Sequence, residues 1–157
     1  MSVGRRRTAL QQGIAYLSRR EYSRQELSRR LIDCGYETSE VGTALDRLVA
    51  EGWQDDTRFA QALVRMRAGS GYGPLRIRHE LSKHGLGDRM ADQILDPYGP
   101  RWTDIATEWI VRRYGGGAEF AADHAMRRKA GDFLLRRGFE VGVMHNALRA
   151  AAETEIA

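Results

Sequence analysis

Apolar residues recur along this chain at three- and four-residue steps, the spacing that gathers side chains on one face of a helix. Leu10, Gly13, Ile14 and Leu17 open the series, followed by Leu27 and Leu31, and then by Val41, Ala44, Leu45 and Leu48. Phe59, Ala62, Leu63 and Met66 repeat the first spacing, and Ile77 and Leu81 the second. Later come Trp102, Ala106 and Trp109, then Met126, Ala130 and Leu134, then Met144, Ala147 and Leu148. No stretch alternates apolar and polar positions as a half-buried strand does. Punctuation fits the same elements. Asp56 stands where an N-cap would accept free N–H groups, and Ser23 with Glu26 has the spacing of a capping box. Pro74 suits the first position of a helix, and Gly35, Gly52, Gly85 and Gly138 suit helix ends.

The pattern repeats. Tyr22, Leu27, Leu31, Gly35 and Leu45 recur fifty residues later as Tyr72, Ile77, Leu81, Gly85 and Leu95. With Gly138 set against Gly85, Ala130, Leu134 and Leu148 fall into the same register. The expectation is an all-α chain of three tandem three-helix, helix-turn-helix-like repeats, with nine principal helices. A basic tail at 1–7, read as disordered, precedes repeats at 8–52, 53–99 and 100–157. Each unit is too small to bury much core alone, so neighbours must pack, which predicts an elongated, curved row.

Charge adds a second layer. The net charge is +4, yet Arg supplies nearly all the cations, with Lys83 and Lys129 the only lysines. Arginine binds phosphate or carboxylate through two N–H groups at once and stacks on flat rings, so the bias favours nucleic acid or an acidic protein surface. Cys34 stands alone, which excludes an intrachain disulfide and predicts a small packed side chain at a helix end. No apolar run reaches the length of a membrane span, and Gln11, Gln12 and Arg19 interrupt any signal-peptide core. The reading is a cytoplasmic monomer.

Catalytic chemistry finds no constellation. His79 and His84 lie five apart, so they do not share a helix face as zinc-binding histidines four apart would. Gly69, Gly71 and Gly73 follow a helix rather than a strand and lack the Gly-Lys-Ser/Thr of a phosphate loop. The reading is no enzyme, no metal and no cofactor.

The basic residues cluster on the second helix of each unit. Between Arg65 and Lys83 lie Arg65, Arg67, Arg76, Arg78 and Lys83 against the single acid Glu80. These five are the candidate contacts. Secondary candidates are Arg24, Arg29 and Arg30 in the first unit, and Arg127, Arg128, Lys129, Arg136 and Arg137 in the third. The third helices are acidic, with Glu40, Asp46 and Glu51, then Asp88, Asp92 and Asp96. Acids there oppose the reading of a helix-turn-helix DNA-binding protein or transcription regulator, whose last helix enters the major groove. A basic stripe along the other helices fits shape-tolerant contact with a long charged object, including weak, sequence-independent binding of single- and double-stranded DNA.

Two motifs in order carry a resemblance. Asp55-Asp56-x-Arg58-Phe59-Ala60, then Arg65-x-Arg67, then Gly71-Tyr72-Gly73-Pro74-x-Arg76-Ile77-Arg78-x-Glu80-Leu81 form one block. Arg19 to Leu27, reading R-R-E-Y-S-R-x-E-L, with Leu31 to Tyr36, form the other. Together they resemble the RecX family, bacterial regulators of RecA, over roughly residues 10 to 86. The resemblance implies an all-helical protein of tandem three-helix repeats. It also implies a partner, the RecA filament, and inhibition of RecA's recombinase, ATPase and co-protease activities, hence a place in recombinational DNA repair and the SOS response. Of the motif residues, Asp56, Phe59, Gly73, Pro74, Ile77, Leu81 and Gly85 read as structural.

Overall fold

A computed structural model describes residues 6–155. Among them the chain forms ten α-helices, one short 3-10 turn at Asp96–Tyr98, and no strand. The helices are α1 Ala9–Leu17, α2 Arg24–Asp33, α3 Thr38–Ala50, α4 Asp56–Gly69, α5 Pro74–Lys83, α6 Asp88–Leu95, α7 Arg101–Tyr114, α8 Gly117–Ala122, α9 His124–Arg136 and α10 Val141–Glu153. The count exceeds the expected nine because α8 forms where the glycine run predicts only a break. Gly117 supplies the left-handed turn at φ +74°, and Phe120, buried, anchors the short helix.

The chain divides into two compact units. The first runs to Ala62 and takes in Lys83–Leu86; the second holds Leu63–Ser82 and the chain from Gly87 onward. In the first, Tyr22, Leu27, Leu31, Val41, Leu45 and Leu48 form a buried cluster, with Leu10, Ile14 and Leu17 of α1 half-buried against it. Each fully buried Leu contributes about 1.5–3 kcal/mol relative to exposure, so this cluster is the main source of the unit's cohesion. Gly13 lets α1 approach α3, since a Cβ there would stand 2.7 Å from Leu48 Cδ1. The start of α1 is held by a full capping box between Thr8 and Gln11.

Arg6 and Arg7, read as part of a disordered tail, are tied down. Arg6 donates to the Cys34 carbonyl at 2.5 Å, and the Tyr36 hydroxyl donates to the Arg7 carbonyl at 2.6 Å. Residues 1–5 of that tail lie outside the described residues. Cys34 is exposed rather than packed, with its Sγ 3.1 Å from the Tyr16 hydroxyl.

In the second unit α7 and α10 pack through Trp102, Ala106, Ile110, Ala147 and Ala151, all buried. Phe139 adds an edge-on contact with Trp102, ring centroids 6.4 Å apart.

Along α4 the buried residues are Phe59, Ala60, Leu63, Val64 and Ala68, while Met66 is 56% exposed. The apolar face is therefore rotated from the expected one. It is centred between the Phe59/Leu63 and Ala60/Val64 rows, which leaves Met66 at its edge. Arg67 falls four residues after Leu63 and three after Val64, in line with the buried face. The helix start is also corrected. Asp55, not Asp56, caps it by accepting from the Arg58 N–H at 3.0 Å.

Candidate functional site

Two helix starts, fifty residues apart in sequence, share one device: the end of a later helix or loop satisfies their free N–H groups. At α2, Ser23 is the cap, its Oγ accepting from the Glu26 N–H at 3.1 Å. The same hydroxyl lies 2.7 Å from His84 Nδ1. Asp56 accepts from the Arg24 N–H at 2.8 Å and from Gln54 Nε2 at 3.0 Å. Gln54 Nε2 also donates to the Tyr22 carbonyl at 3.1 Å. Ser23 and Gln54 are the buried polar side chains here, and both are satisfied, as burial requires. The Glu26 carboxylate does not complete the expected capping box; it takes Arg20 instead, at 2.6 Å.

At α5 the donors reach backbone. The Gly73 N–H donates to the Arg137 carbonyl at 2.8 Å and the Leu75 N–H to the Gly138 carbonyl at 3.0 Å. Pro74 between them has no N–H to satisfy. The first turn of α5 thus takes the last carbonyls beyond α9, matching partial positive and partial negative helix ends.

This seam aligns arginines with aromatic rings. The Arg76 guanidinium carbon lies 4.3 Å from the Tyr72 ring centre, and that of Arg137 lies 4.5 Å from the same ring. Arg137 is also 5.0 Å from Phe133, whose ring has Arg113 at 4.9 Å. Arg112 stands 5.1 Å from Trp109. Arg137 Nη1 further donates to the Ser70 carbonyl at 3.2 Å. In the first unit Arg20 lies 3.7 Å from the Tyr22 ring and Arg30 5.5 Å from it. A guanidinium held over a ring and not already paired keeps its N–H edge available for phosphate or carboxylate while losing little further freedom on binding; Arg20 is taken by Glu26 and Arg112 by Glu108.

The five primary candidates separate in their surroundings. Arg65, Arg76 and Lys83 are exposed. Arg67 makes a two-point pair with Glu80, Nε at 2.9 Å and Nη2 at 2.7 Å. The hydrogen bond to Glu80 raises the Arg67 pKa above its ordinary value, against the opposing effect of burial. Arg78 pairs with Asp92 at 2.6 Å, with Asp88 3.8 Å away. Among the secondary candidates, Arg24 pairs with Asp46 at 2.7 Å. Arg29, Arg128, Lys129 and Arg136 are exposed, and Arg127 is half-buried. Asp46 of α3 and Asp92 of α6 therefore pair with arginines of the same fold; Glu40 likewise accepts from the Ala9 N–H at 3.3 Å.

Sequence reasoning missed Arg20, Arg112 and Arg113. Each lies close to an aromatic residue in sequence: Arg20 two before Tyr22, Arg112 three after Trp109, Arg113 next to Tyr114. That proximity was the available signal. His84 packs on Phe59 with ring centres 4.6 Å apart, and His79 is exposed. Among the described residues no three His, Cys, Asp or Glu side chains are grouped to hold a metal ion. No helix among them is long and apolar enough to cross a membrane.

Residues 9–48 match the family model for the first three-helix domain of RecX, and residues 55–95 that for the second. A Regulatory protein RecX from Xanthomonas axonopodis pv. citri is 48% identical over 149 residues, covering 95% of this chain and 88% of the relative. The chain belongs to the RecX family. A Regulatory protein RecX from Stenotrophomonas maltophilia is 43% identical, covering 92% of this chain and 88% of its own length. The crystal structure of RecX from Lactobacillus salivarius superposes with a TM-score of 0.74 at 20% identity, over 91% of this chain and 94% of that one. A second RecX crystal structure gives 0.72 at 20% identity, over 87% of this chain and 68% of its own. These two structures share the all-helical fold. The blocks that carry the sequence resemblance, near Tyr22 and Tyr72, lie inside the two matched RecX domains.

Proposed function

We propose that this RecX-family protein binds RecA and RecA–DNA filaments and inhibits the recombinase, ATPase and co-protease activities of RecA. Membership in a family of regulatory proteins supports the reading, and the seam at Tyr72 carries it on the chemical side. Arg76 and Arg137 both stand over that ring, a pre-set pair of cationic forks. Such a pair suits a repetitive charged partner whose phosphates and carboxylates recur, rather than one base sequence. Arg65, Arg76 and Lys83 are the first contacts assigned to the filament, with Arg137 added to them. Arg67 and Arg78 are given a positioning role through Glu80 and Asp92. The protein's own DNA binding is weak and independent of sequence.

The rival, an operator-reading helix-turn-helix protein, is disfavoured by what α3 and α6 present. Asp46 and Asp92 on those helices are pairing partners of arginines from α2 and α5, and they would repel phosphates in a groove. The test is RecA ATPase on single-stranded DNA with increasing amounts of this protein. Progressive loss of hydrolysis is the expected result. Full hydrolysis at saturating protein, together with tight binding to a single operator, would favour the rival.

A further inference from the structure

We propose that the groove between α9 and α10 is a docking site for a short acidic peptide segment that carries one aliphatic side chain. The inference does not depend on the partner proposed above. The groove holds about 270 Å³ and lies within the second unit. Its floor is apolar: Met144 and Leu148 from α10 face Gly131 of α9. A Cβ at Gly131 would stand 3.3 Å from Met144 Sδ, so the missing side chain helps keep the space open. Met is the adaptable lining residue, able to refit around aliphatic groups of different shape.

The rim is basic. Arg127 and Arg128 project from α9, with His124 one turn before Arg128 and His145 on α10. Asp132 is the one acid on it. Arg127 Nε is buried and has no hydrogen-bond partner. Native proteins satisfy most buried donors, so an orphaned one beside a groove points to an acceptor supplied from outside. A carboxylate has the geometry to meet a guanidinium edge.

Peptide fits better than nucleic acid for two reasons. No Phe, Tyr or Trp lines the groove, and single-stranded nucleic acid binds chiefly by stacking on such large rings. Asp132 opposes a continuous run of phosphates, but it can accept the backbone N–H groups that a peptide supplies.

The probe is a fluorescein-labelled peptide of Glu and Asp flanking a single Leu, titrated into the full-length protein and read by anisotropy. Amide shifts in a nitrogen–proton spectrum report the place of binding. The same peptide with Ser in place of Leu, and oligothymidylate, are the comparisons. Saturable binding that shifts the amides of Gly131, Met144 and Leu148, and weakens with the Ser peptide, is expected. The variant Arg128→Glu/His145→Glu changes two exposed residues and leaves the floor intact, so its melting should match the wild type while affinity falls roughly tenfold or more. Arg127→Met should also weaken binding, without loss of helicity. The proposal is overturned if the charge-reversed variant binds as well as wild type. It is equally overturned if the peptide leaves those amides unmoved, or if oligothymidylate shifts them and the peptide does not.

Discussion

Gly73 and Gly138 meet backbone to backbone: a Cβ on Gly73 would stand 2.5 Å from both the carbonyl carbon and the oxygen of Gly138. In return, a Cβ on Gly138 would stand 2.6 Å from the backbone nitrogen and the Cβ of Arg76. The contact is what allows the α5 N–H groups to take the carbonyls beyond α9, and it sets Arg76 and Arg137 beside the same ring. Gly138 is also held at φ +90°, a conformation side chains disfavour.

Gly73→Ala should therefore destabilise by about 3 kcal/mol, because neither neighbour is a flexible side-chain end that can move aside. Gly138→Ala should cost at least as much, since strain in φ adds to the overlap. Urea denaturation followed by circular dichroism checks both; an unchanged midpoint for Gly73→Ala would contradict the close approach.

Gly42→Ala should have the opposite sign. Gly42 lies within α3 and nothing stands within 4 Å of its missing Cβ. A glycine inside a helix is about 1 kcal/mol less favourable than alanine, so the denaturation midpoint should rise accordingly.

The Arg67–Glu80 pair should show measurable coupling. It is bidentate and half-buried, so a double-mutant cycle with Arg67→Ala and Glu80→Ala should give about 1 kcal/mol. The more exposed Arg24–Asp46 pair should fall below about 0.5 kcal/mol in the same measurement. Equal values would mean that the two-point geometry adds nothing.

The triple variant Arg65→Ala/Arg76→Ala/Lys83→Ala should melt close to wild type, because exposed substitutions usually shift stability by no more than about 0.5 kcal/mol each. Its inhibition of RecA ATPase should fall by roughly tenfold or more. Leu81→Asp should lose both properties, since Leu81 is fully buried and a carboxylate there has no water. A triple variant that inhibits as wild type would move the filament contacts elsewhere.

Binding to duplexes of unrelated sequence should weaken steeply with salt, with similar affinity for each. Removing one phosphate contact should reduce the slope of log affinity against log salt by about 0.9. Titrations at several salt concentrations with wild type and Arg76→Ala give both quantities.

The sequence by itself determined nine of the ten helices among the described residues, α8 being the exception, together with the glycines that end several of them and the RecX family. Ile77, Leu81, Leu27 and Leu31 are buried where their spacing places them, because helical period and apolar burial are local properties. It also determined that arginines would be concentrated near Tyr22 and Tyr72. Only the tertiary structure decided what each arginine does. Arg67 and Arg78 look equivalent to Arg65 and Arg76 along the chain. Yet the first two are taken by Glu80 and Asp92, and Arg76 shares a ring with Arg137, sixty-one residues away. Likewise Gly73 reads as a corner until Gly138 comes against it, and Asp56 reads as a cap for its own helix until it caps α2. Periodicity fixes which face of a helix turns inward. It carries no record of which charge or backbone group from a distant segment arrives at the other side, and that arrival sets the pairings of Arg137 with Tyr72, Arg78 with Asp92 and Arg24 with Asp46.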